Sequence, residues 1–278
     1  DLVSEDKVAR HYTHGALLAA IEAGLGRLGK SPDGVTVEDL APVDEFHIGG
    51  REASLTFLGQ LQLDASMHVL DVGCGLGGAA RFTAAQFGSR VTGIDLTREF
   101  VETGQALCAW VGLGERISLT CGSALDMPFE AATFDAAYMM HVGMNIPDKN
   151  ALFADVARVL KPGAVFGVYD VMQTTPGDLT YPVPWAETPA TSALASPEHY
   201  KGALEAAGFT VTAERSRRQF AIDFFARMRE KFDAVGGPPS LGTHLLMGET
   251  APVKAANMSQ NISAGLIAPV ELIARKPH

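Results

Sequence analysis

The spacing of hydrophobic positions changes at Met67, and the change divides this chain into two kinds of structure. Beyond Met67, short apolar runs rich in β-branched residues alternate with segments of helical spacing, which predicts a parallel β-sheet covered by helices on both faces. The predicted strands are HVLDV, RVTGID, ISLTC, FDAAYMM, AVFGVYD, FTVTAERS and LIAPVELIARK. The helical segments between the early strands are GGAARFTAAQFG, TREFVETGQALCAWVG and KNALFADVARVLKPG.

Two helices are predicted before the sheet. The second covers residues 52–61, and the segment before it, DEFHIGGREAS, has paired glycines that indicate a loop. Together these helices predict an N-terminal cap on the sheet. The apolar positions of the first helix are Leu17, Ile21, Leu25 and Leu28.

Two long segments interrupt the alternation at strand ends. One is the proline-rich stretch 173–194, which precedes a helix signalled by Ser196 as N-cap and Pro197 at the first helical position. The other covers 219–265, between the last two predicted strands, and is predicted to contain its own helices around GGPPS. Long insertions at strand ends are usually lids or binding loops, although both segments could also pack as inert surface layers.

Composition and charge exclude several classes of partner. The 278 residues are 47% hydrophobic and 19% charged, which suits a globular core. A formal net charge of −10 argues against a nucleic-acid-binding surface, and no apolar run approaches the roughly 20 residues of a membrane span. Three cysteines without metal-type spacing predict reduced thiols, and the opening DLVSEDKVAR has no signal-peptide character, so a cytoplasmic location is expected.

A glycine-rich loop, VLDVGCGLGGAA, follows directly on the first predicted strand. Its G-x-G-x-x-G spacing at Gly73, Gly75 and Gly78 is a weak signal alone, since helix–strand packing also favours glycine. Asp95 closes the second strand about twenty residues later, where a carboxylate could accept both ribose hydroxyls of a nucleoside. Because ligands bind beyond the carboxyl ends of parallel strands, the loop and this acid predict an adenosine-containing ligand.

Asp71 distinguishes between two kinds of adenosine ligand. Its carboxylate, two residues before Gly73, is expected to be a fixed negative charge that repels a pyrophosphate in a poorly screened site. S-adenosylmethionine (SAM) carries a sulfonium and an ammonium but no phosphate, and the glycines would then allow close backbone approach. SAM is therefore the predicted cofactor, with NAD left open as the alternative.

Three longer stretches resemble class I SAM-dependent methyltransferases: VLDVGCGLGGAARFTAAQFGSRVTGIDLT, GSALDMPFEAATFDAAYMMHV and ALFADVARVLKPGAVFGVYD, within 69–170. Outside them, HYTHGALLAAIEAGL, DEFHIGGREAS and the late insertion resemble the sarcosine/dimethylglycine N-methyltransferase branch, which borders on the quinone and tocopherol methyltransferases. The resemblance implies a Rossmann-like α/β fold with a seven-stranded sheet whose last strand is antiparallel. It divides the chain into a helical cap (1–66), a SAM-binding core (67–218), a lid insertion (219–265) and the last core strand (266–278).

The resemblance also implies which residues hold SAM. Gly73 and Gly75 would line the methionine part, Asp95 would bind the ribose, and Leu96 would pack on the adenine. Tyr12 matches an N-terminal tyrosine that lies near SAM in relatives, although an ordinary amphipathic helix explains it nearly as well.

The adenine end departs from the pattern of the family. Most relatives have Gly-Asp-Ala where this chain has Gly122, Ser123 and Ala124. Ser123 can still hydrogen-bond the adenine amino group, but without charge. Adenine recognition is therefore expected to be weaker or differently shared.

His141 is the candidate catalytic residue. It follows the fourth predicted strand and could contact the methionine part of SAM or take a proton from the substrate, because histidine titrates near neutrality. The alternative is a loop histidine bonded to the backbone. His47 and Phe46, in FHIGG, resemble the segment that closes over the cofactor, with His47 expected at SAM and Phe46 at the substrate.

Three further residues are candidates for substrate binding. Arg51 could pair with a substrate carboxylate, or lie at the surface or a helix start. Tyr181 and Trp185, in YPVPWAE, could form an aromatic wall or a cation–π face for a substrate amine, or could anchor their loop to the core. The eight histidines form no ligand cluster, so no metal is predicted.

These features predict a SAM-dependent methyltransferase of a small molecule. The resemblance favours N-methylation of an amine such as sarcosine or dimethylglycine, and an enclosed apolar pocket would deprotonate an amine without a dedicated base. The alternatives are O- or C-methylation of an aromatic or isoprenoid metabolite, and a non-catalytic SAM-binding protein. No nucleic-acid or membrane partner is expected, and the chain could be a monomer or a homodimer.

Overall fold

A seven-stranded sheet forms the centre of the molecule, of which the computed structural model describes residues 3–278. The strands are β1 (His68–Val72), β2 (Arg90–Asp95), β3 (Ile117–Cys121), β4 (Phe134–Met140), β5 (Leu160–Gln173), β6 (Thr210–Ser216) and β7 (Ile267–Arg275). Their order across the sheet is β3-β2-β1-β4-β5-β7-β6. β1 to β5 run parallel, and β7 is antiparallel to both β5 and β6. The predicted mostly parallel sheet with an antiparallel last strand is confirmed.

Helices cover both faces of this sheet. They are α1 (Glu5–Tyr12), α2 (Leu17–Arg27), α3 (Val37–Asp44), α4 (Gly50–Leu58), α5 (Gly78–Phe87), α6 (Arg98–Trp110), α7 (Lys149–Val159), α8 (Pro197–Ala206), α9 (Arg218–Val235), α10 (His244–Met247) and α11 (Ala251–Ser263). In β1, Leu70 and Val72 belong to one apolar cluster with Phe153 of α7, whereas Val69 packs in a separate cluster with Phe57 of α4 and Phe82 of α5. Alternate residues of a strand face opposite sides, so both faces bury apolar residues, as expected of a parallel sheet.

The N-terminal part contains more helix than the two helices predicted there. The predicted helix over 52–61 is α4 followed by a 3-10 turn at Gly59–Leu61. α1 and α3 were not predicted, although both have start signals: the Ser4 side chain caps α1, and Thr36 forms a capping box with Asp39 at the start of α3. α2 and α3 pack with α6 and α10 in one apolar cluster, which places part of the late insertion beside the N-terminal helices.

The later elements follow the prediction with one shift. α8 begins at Pro197, and the Ser196 side chain accepts a hydrogen bond from the His199 amide. α9, α10 and α11 lie between β6 and β7, where helices were expected. α7 ends at Val159, whereas the prediction extended it through Gly163; the intervening residues belong to β5. The residue before Pro162 is disfavoured in helical conformation, which explains the early end.

Candidate functional site

The loop between β1 and α5 is fixed by glycine conformations and by hydrogen bonds to β2. Gly73 has φ +70°, and a Cβ there would overlap the side chain of Val142. The amides of Gly73 and Cys74 both donate to the carbonyl of Ile94, at 2.8 and 3.0 Å. Gly75 has φ +54°, but no atom lies within 4 Å of the position a Cβ would take. The loop therefore leaves open space beside Gly75 that a ligand can occupy.

A cavity of about 430 Å³ lies at the carboxyl ends of β1, β2 and β4, where open parallel sheets bind ligands. Its volume falls within the range of small-molecule sites. Among the residues described, the lining contains five acidic side chains but no lysine or arginine. The sequence-predicted residues that line it are Tyr12, Phe46, His47, Asp71, Gly73, Gly75, Asp95, Leu96, Ser123, Ala124 and His141.

Asp95 holds the loop and remains able to bind a ligand. One carboxylate oxygen accepts from the Gly75 amide and the other from the Thr97 amide, each at 2.9 Å. Burial raises the pKa of Asp95, and hydrogen bonds from the two amides and from the Thr97 side chain oppose that shift. A carboxylate has about four acceptor positions, so these donors leave one open. The carboxylate can therefore accept a hydrogen bond from a ribose hydroxyl.

Asp71 is buried at 3% exposure and accepts a hydrogen bond from the Tyr138 hydroxyl at 2.9 Å. Burial raises its pKa to about 7, because desolvation penalises the charged form. The expectation of a fixed negative charge therefore needs correction: at neutral pH the free protein holds Asp71 in both protonation states. A cationic ligand in the cavity would favour the ionised state.

The third glycine of the loop serves packing. A Cβ at Gly78 would overlap Asp44 at the end of α3. Asp44 also forms a two-pronged ion pair with Arg81 of α5, at 2.7 and 3.0 Å, and both side chains are buried. These contacts fix the end of α3, and with it the segment containing Phe46 and His47, against the start of α5.

α1 brings Val8 and Tyr12 to the cavity. The Tyr12 hydroxyl donates to the side-chain oxygen of Asn145 at 3.2 Å, and its ring lies near those of Phe46 and Phe100. Burial raises the pKa of Tyr12, so its hydroxyl stays protonated and acts as a donor. Asn145 was not predicted as a site residue, and its polar side chain in an otherwise apolar segment after His141 was the only available signal.

Ser123 is already bonded within the protein. Its hydroxyl donates to a carboxylate oxygen of Glu5 at 2.6 Å and accepts from the Leu125 amide at 3.0 Å. Glu5 lines the same cavity but was not predicted, because α1 itself was not. The acidic first turn after Ser4 was the sequence signal for both.

His141 has φ +58° and uses both ring nitrogens in contacts with the backbone. Nδ1 lies 2.9 Å from the Tyr169 carbonyl, which can only accept, so Nδ1 carries the proton. Nε2 then accepts from the Ile48 amide at 3.1 Å. Burial lowers the pKa of His141 to about 3. The ring has no free lone pair, so these contacts favour the backbone-bonded alternative over a catalytic base.

His47 differs from His141 in having a free nitrogen. Its Nε2 lies 3.0 Å from the Gly50 carbonyl and must therefore carry the proton. Ser54 Oγ and a Glu45 oxygen lie 3.1 and 3.2 Å from the same nitrogen, and Ser54 donates to Glu45 at 2.6 Å. Burial lowers the pKa of His47 to about 4 and raises that of Glu45 to about 7. His47 is therefore neutral at pH 7, and its Nδ1 has a lone pair without a partner in the described part of the chain.

Arg51 does not line the cavity. Its guanidinium lies 2.9 Å from Glu45 and 4.7 Å from the centre of the Phe82 ring. The geometry with Glu45 is that of an ion pair rather than an aligned hydrogen bond. Because its charge is already paired, Arg51 is poorly placed to bind a substrate carboxylate.

Tyr181 and Trp185 also lie outside the cavity. Trp185 is 3% exposed, and its indole nitrogen donates to Ser192 at 2.9 Å. Tyr181 packs against the same apolar cluster, which includes Met258 of α11. Both contacts match the alternative interpretation, in which these aromatics anchor their loop.

Two absences apply to residues 3–278. No group of three or more histidine, cysteine or acidic side chains is placed to hold a metal ion. None of the described helices combines the length and apolar character needed to cross a membrane.

The amino-acid sequence of this chain is similar to those of known methyltransferases. Residues 69–163 match the family model described as a methyltransferase domain. The sterol 4-C-methyltransferase strm-1 of Caenorhabditis elegans is 36% identical over 119 residues, which are 43% of this chain and 35% of that protein. A probable chloroplastic tocopherol O-methyltransferase of Oryza sativa subsp. japonica is 42% identical over 96 residues, 34% of this chain and 26% of that protein. The matched segment thus spans about a third or less of these relatives.

Solved structures share the fold over a longer range. The cyclase SpnF superposes with a TM-score of 0.70 at 22% identity, covering 99% of this chain and 97% of that one. A putative sarcosine dimethylglycine methyltransferase from Galdieria sulphuraria has a TM-score of 0.64 at 20% identity, covering 81% of this chain and 83% of that one. At these identities the likeness establishes the fold. Residues 69–163 of this chain therefore match a methyltransferase domain, and the chain has the class I methyltransferase fold.

Proposed function

We propose that this protein is a SAM-dependent methyltransferase whose acceptor is a small molecule without an anionic group, methylated at carbon or oxygen. The observation that carries the acceptor class is the cavity lining, which has acidic side chains but no lysine or arginine among the described residues. Such a lining suits a cationic cofactor, and it offers no cation to a carboxylate or phosphate on the substrate.

The residues of the cavity fit SAM. Asp95 keeps an acceptor position open for a ribose hydroxyl, and the space beside Gly75 accepts a ligand next to the backbone. Asp71 can stabilise a positive charge at the neighbouring end of the cavity. When bound, SAM supplies a methyl group on a sulfonium, already activated for transfer. The protein then has mainly to orient the acceptor, a contribution worth roughly 7–11 kcal/mol.

The sarcosine or dimethylglycine acceptor expected from the sequence has less support. Both carry a carboxylate, and Arg51, the residue expected to bind it, is paired with Glu45 outside the cavity. The relatives similar in sequence include a sterol C-methyltransferase and a tocopherol O-methyltransferase by name. An isoprenoid or aromatic acceptor therefore stands ahead of a glycine derivative.

His47 is the proposed proton acceptor in place of His141. Its Nδ1 has no partner among the described residues, and His47 is one of the residues that line the cavity. Burial lowers the pKa of His47, so its ring is neutral at pH 7 and can accept a proton lost from the acceptor. Methylation at carbon is the favoured form of the proposal because several similar relatives are named as sterol C-methyltransferases.

The test is a transfer assay with methyl-tritiated SAM. The protein is incubated with an organic-extractable isoprenoid and phenol pool and, separately, with glycine, sarcosine and dimethylglycine. Label in the organic phase supports the proposal, and label in the glycine derivatives contradicts it. Binding of SAM without transfer to any pool would support the non-catalytic alternative. That outcome matters because the fold is shared with a protein named as a cyclase.

A further inference from the structure

The cavity end beside Ser123 contains a carboxylate from a distant part of the chain. Glu5, in the first turn of α1, accepts a hydrogen bond from the Ser123 hydroxyl, with 2.6 Å between Ser123 Oγ and Glu5 Oε1. Both residues line the cavity, as do Leu96 and Ala124. The Ser123 oxygen also accepts from the Leu125 amide. The serine therefore has its proton committed and one acceptor position occupied, whereas the carboxylate of Glu5 has more accepting capacity.

An adenine presents an exocyclic amino group, which donates two hydrogen bonds and needs acceptors. An ionised carboxylate accepts more strongly than a hydroxyl. We propose that Glu5, held by Ser123, supplies the carboxylate that accepts the adenine amino group of SAM, so that α1 is part of the cofactor site. This assignment depends on the proposed function, since it presumes SAM in the cavity.

The placement of α1 supports this role. Glu5, Val8 and Tyr12 are spaced by three and four residues, so they share one face of the helix, and all three line the cavity. The chain after α1 is fixed as well, because the amides of His14 and Gly15 both donate to one oxygen of Glu99 at 3.0 Å. Glu99 is in α6, next to Phe100, whose ring lies near that of Tyr12. α1 is thus held to the core at both of its ends.

Asp6 is the matched control. It stands next to Glu5, carries the same charge, is exposed and does not line the cavity. A general effect of removing one negative charge from α1 would therefore appear equally in Asp6→Asn and Glu5→Gln. An effect specific to adenine recognition would appear only in Glu5→Gln.

The experiment is calorimetric binding of two ligands to the full chain: S-adenosylhomocysteine, and S-inosylhomocysteine, in which a carbonyl replaces the amino group. We expect wild type to prefer the adenosyl ligand strongly. Glu5→Gln should weaken S-adenosylhomocysteine binding by about 10- to 100-fold, as for a hydrogen bond to a charged group. It should also reduce the preference, since an amide can donate to the inosine carbonyl. Asp6→Asn should change neither value.

Ser123→Asp in the Glu5→Gln background provides the rescue. It restores one carboxylate at this end of the cavity, so both adenosyl affinity and ligand preference should recover. If Glu5→Gln keeps the wild-type affinity, ligand preference and thermal midpoint, the role assigned to Glu5 is wrong, although the proposed cofactor is not affected. Failure of wild type to bind S-adenosylhomocysteine would instead overturn the proposed cofactor, and this assignment with it.

Discussion

Asp71→Asn tests whether a buried carboxylate attracts the cationic cofactor. In the ligand-free protein Asp71 is 3% exposed, bonded to the Tyr138 hydroxyl, and burial raises its pKa to about 7. A sulfonium or ammonium close by favours the ionised carboxylate, so binding selects that form or creates it. Wild-type affinity for SAM is therefore expected to increase as pH rises through neutrality.

The magnitude follows from the ionised fraction. For a pKa of about 7, Asp71 is ionised in about 9% of free molecules at pH 6 and in about 91% at pH 8. If only the ionised form binds, the dissociation constant falls about tenfold over this range, or about 1.4 kcal/mol. The asparagine side chain keeps an oxygen to accept from Tyr138 but cannot ionise, so the variant should lose this dependence.

The assay is calorimetric SAM binding to wild type and Asp71→Asn at several pH values. The amine of the ligand titrates equally in both experiments and cancels in the ratio of affinities. Glu45→Gln is the control, because Glu45 also has a pKa of about 7 but does not line the cavity; it should keep the wild-type slope. Parallel curves for wild type and Asp71→Asn would refute the argument.

Asp71 has the opposite consequence for the stability of the free protein. Folding raises its pKa from 3.8 to about 7, so its contribution to stability is present at low pH and is lost as pH rises through that interval. At about pH 8 the ionised group costs on the order of 4 kcal/mol at most. Asp71→Asn should therefore raise the urea midpoint of the free protein at pH 8 and much less at pH 5. Equal midpoints of the two proteins at pH 8 would contradict this.

Three further predictions concern neighbouring parts of the site. Gly73→Ala should lower the free energy of unfolding in urea by roughly 2–4 kcal/mol, because residue 73 has a positive φ and its new Cβ would overlap a neighbouring valine. Gly75→Ala should lower it by roughly 1 kcal/mol but should abolish tight S-adenosylhomocysteine binding. A larger loss of stability for Gly75→Ala than for Gly73→Ala would contradict the loop geometry. Arg81→Met leaves a buried carboxylate unpaired and should cost roughly 3–5 kcal/mol in urea melts, whereas Arg98→Met, at an exposed pair, should cost less than about 1 kcal/mol. His141→Asn, which tolerates the left-handed backbone, should keep turnover within about tenfold once an acceptor is known, since removing a true general base costs roughly a hundredfold or more.

The sheet could be predicted from the sequence because its strands are buried on both faces. Such strands appear as continuous apolar runs, and the helices between them carry one apolar face. α1 is amphipathic, but it is short and mostly polar and has no fully buried residue, so its N-cap and acidic first turn were the clearer signals. The prediction therefore found the cavity floor and missed the helix that carries Glu5.

Side-chain roles were predictable only where the backbone dictates them. Asp95 ends a central strand beside the glycine loop, so its place follows from topology. The pairing of Arg51 with Glu45, six positions earlier, depends on how the chain turns between α3 and α4. The two backbone contacts of His141 involve Ile48 and Tyr169, far away in sequence. Contacts of this kind depend on tertiary packing, which residue type and spacing do not specify.

The position of β7 has a consequence for synthesis on the ribosome. β7 lies between β5 and β6, although it follows both in the chain. Until residues 267–275 emerge, a nascent chain presents one unpaired edge on β5 and leaves β6 without a neighbour in the sheet. Such edges are templates for pairing with other chains. Premature termination before Ile267 would therefore yield a species prone to aggregate, and the late insertion, α9 to α11, sets how long that state lasts.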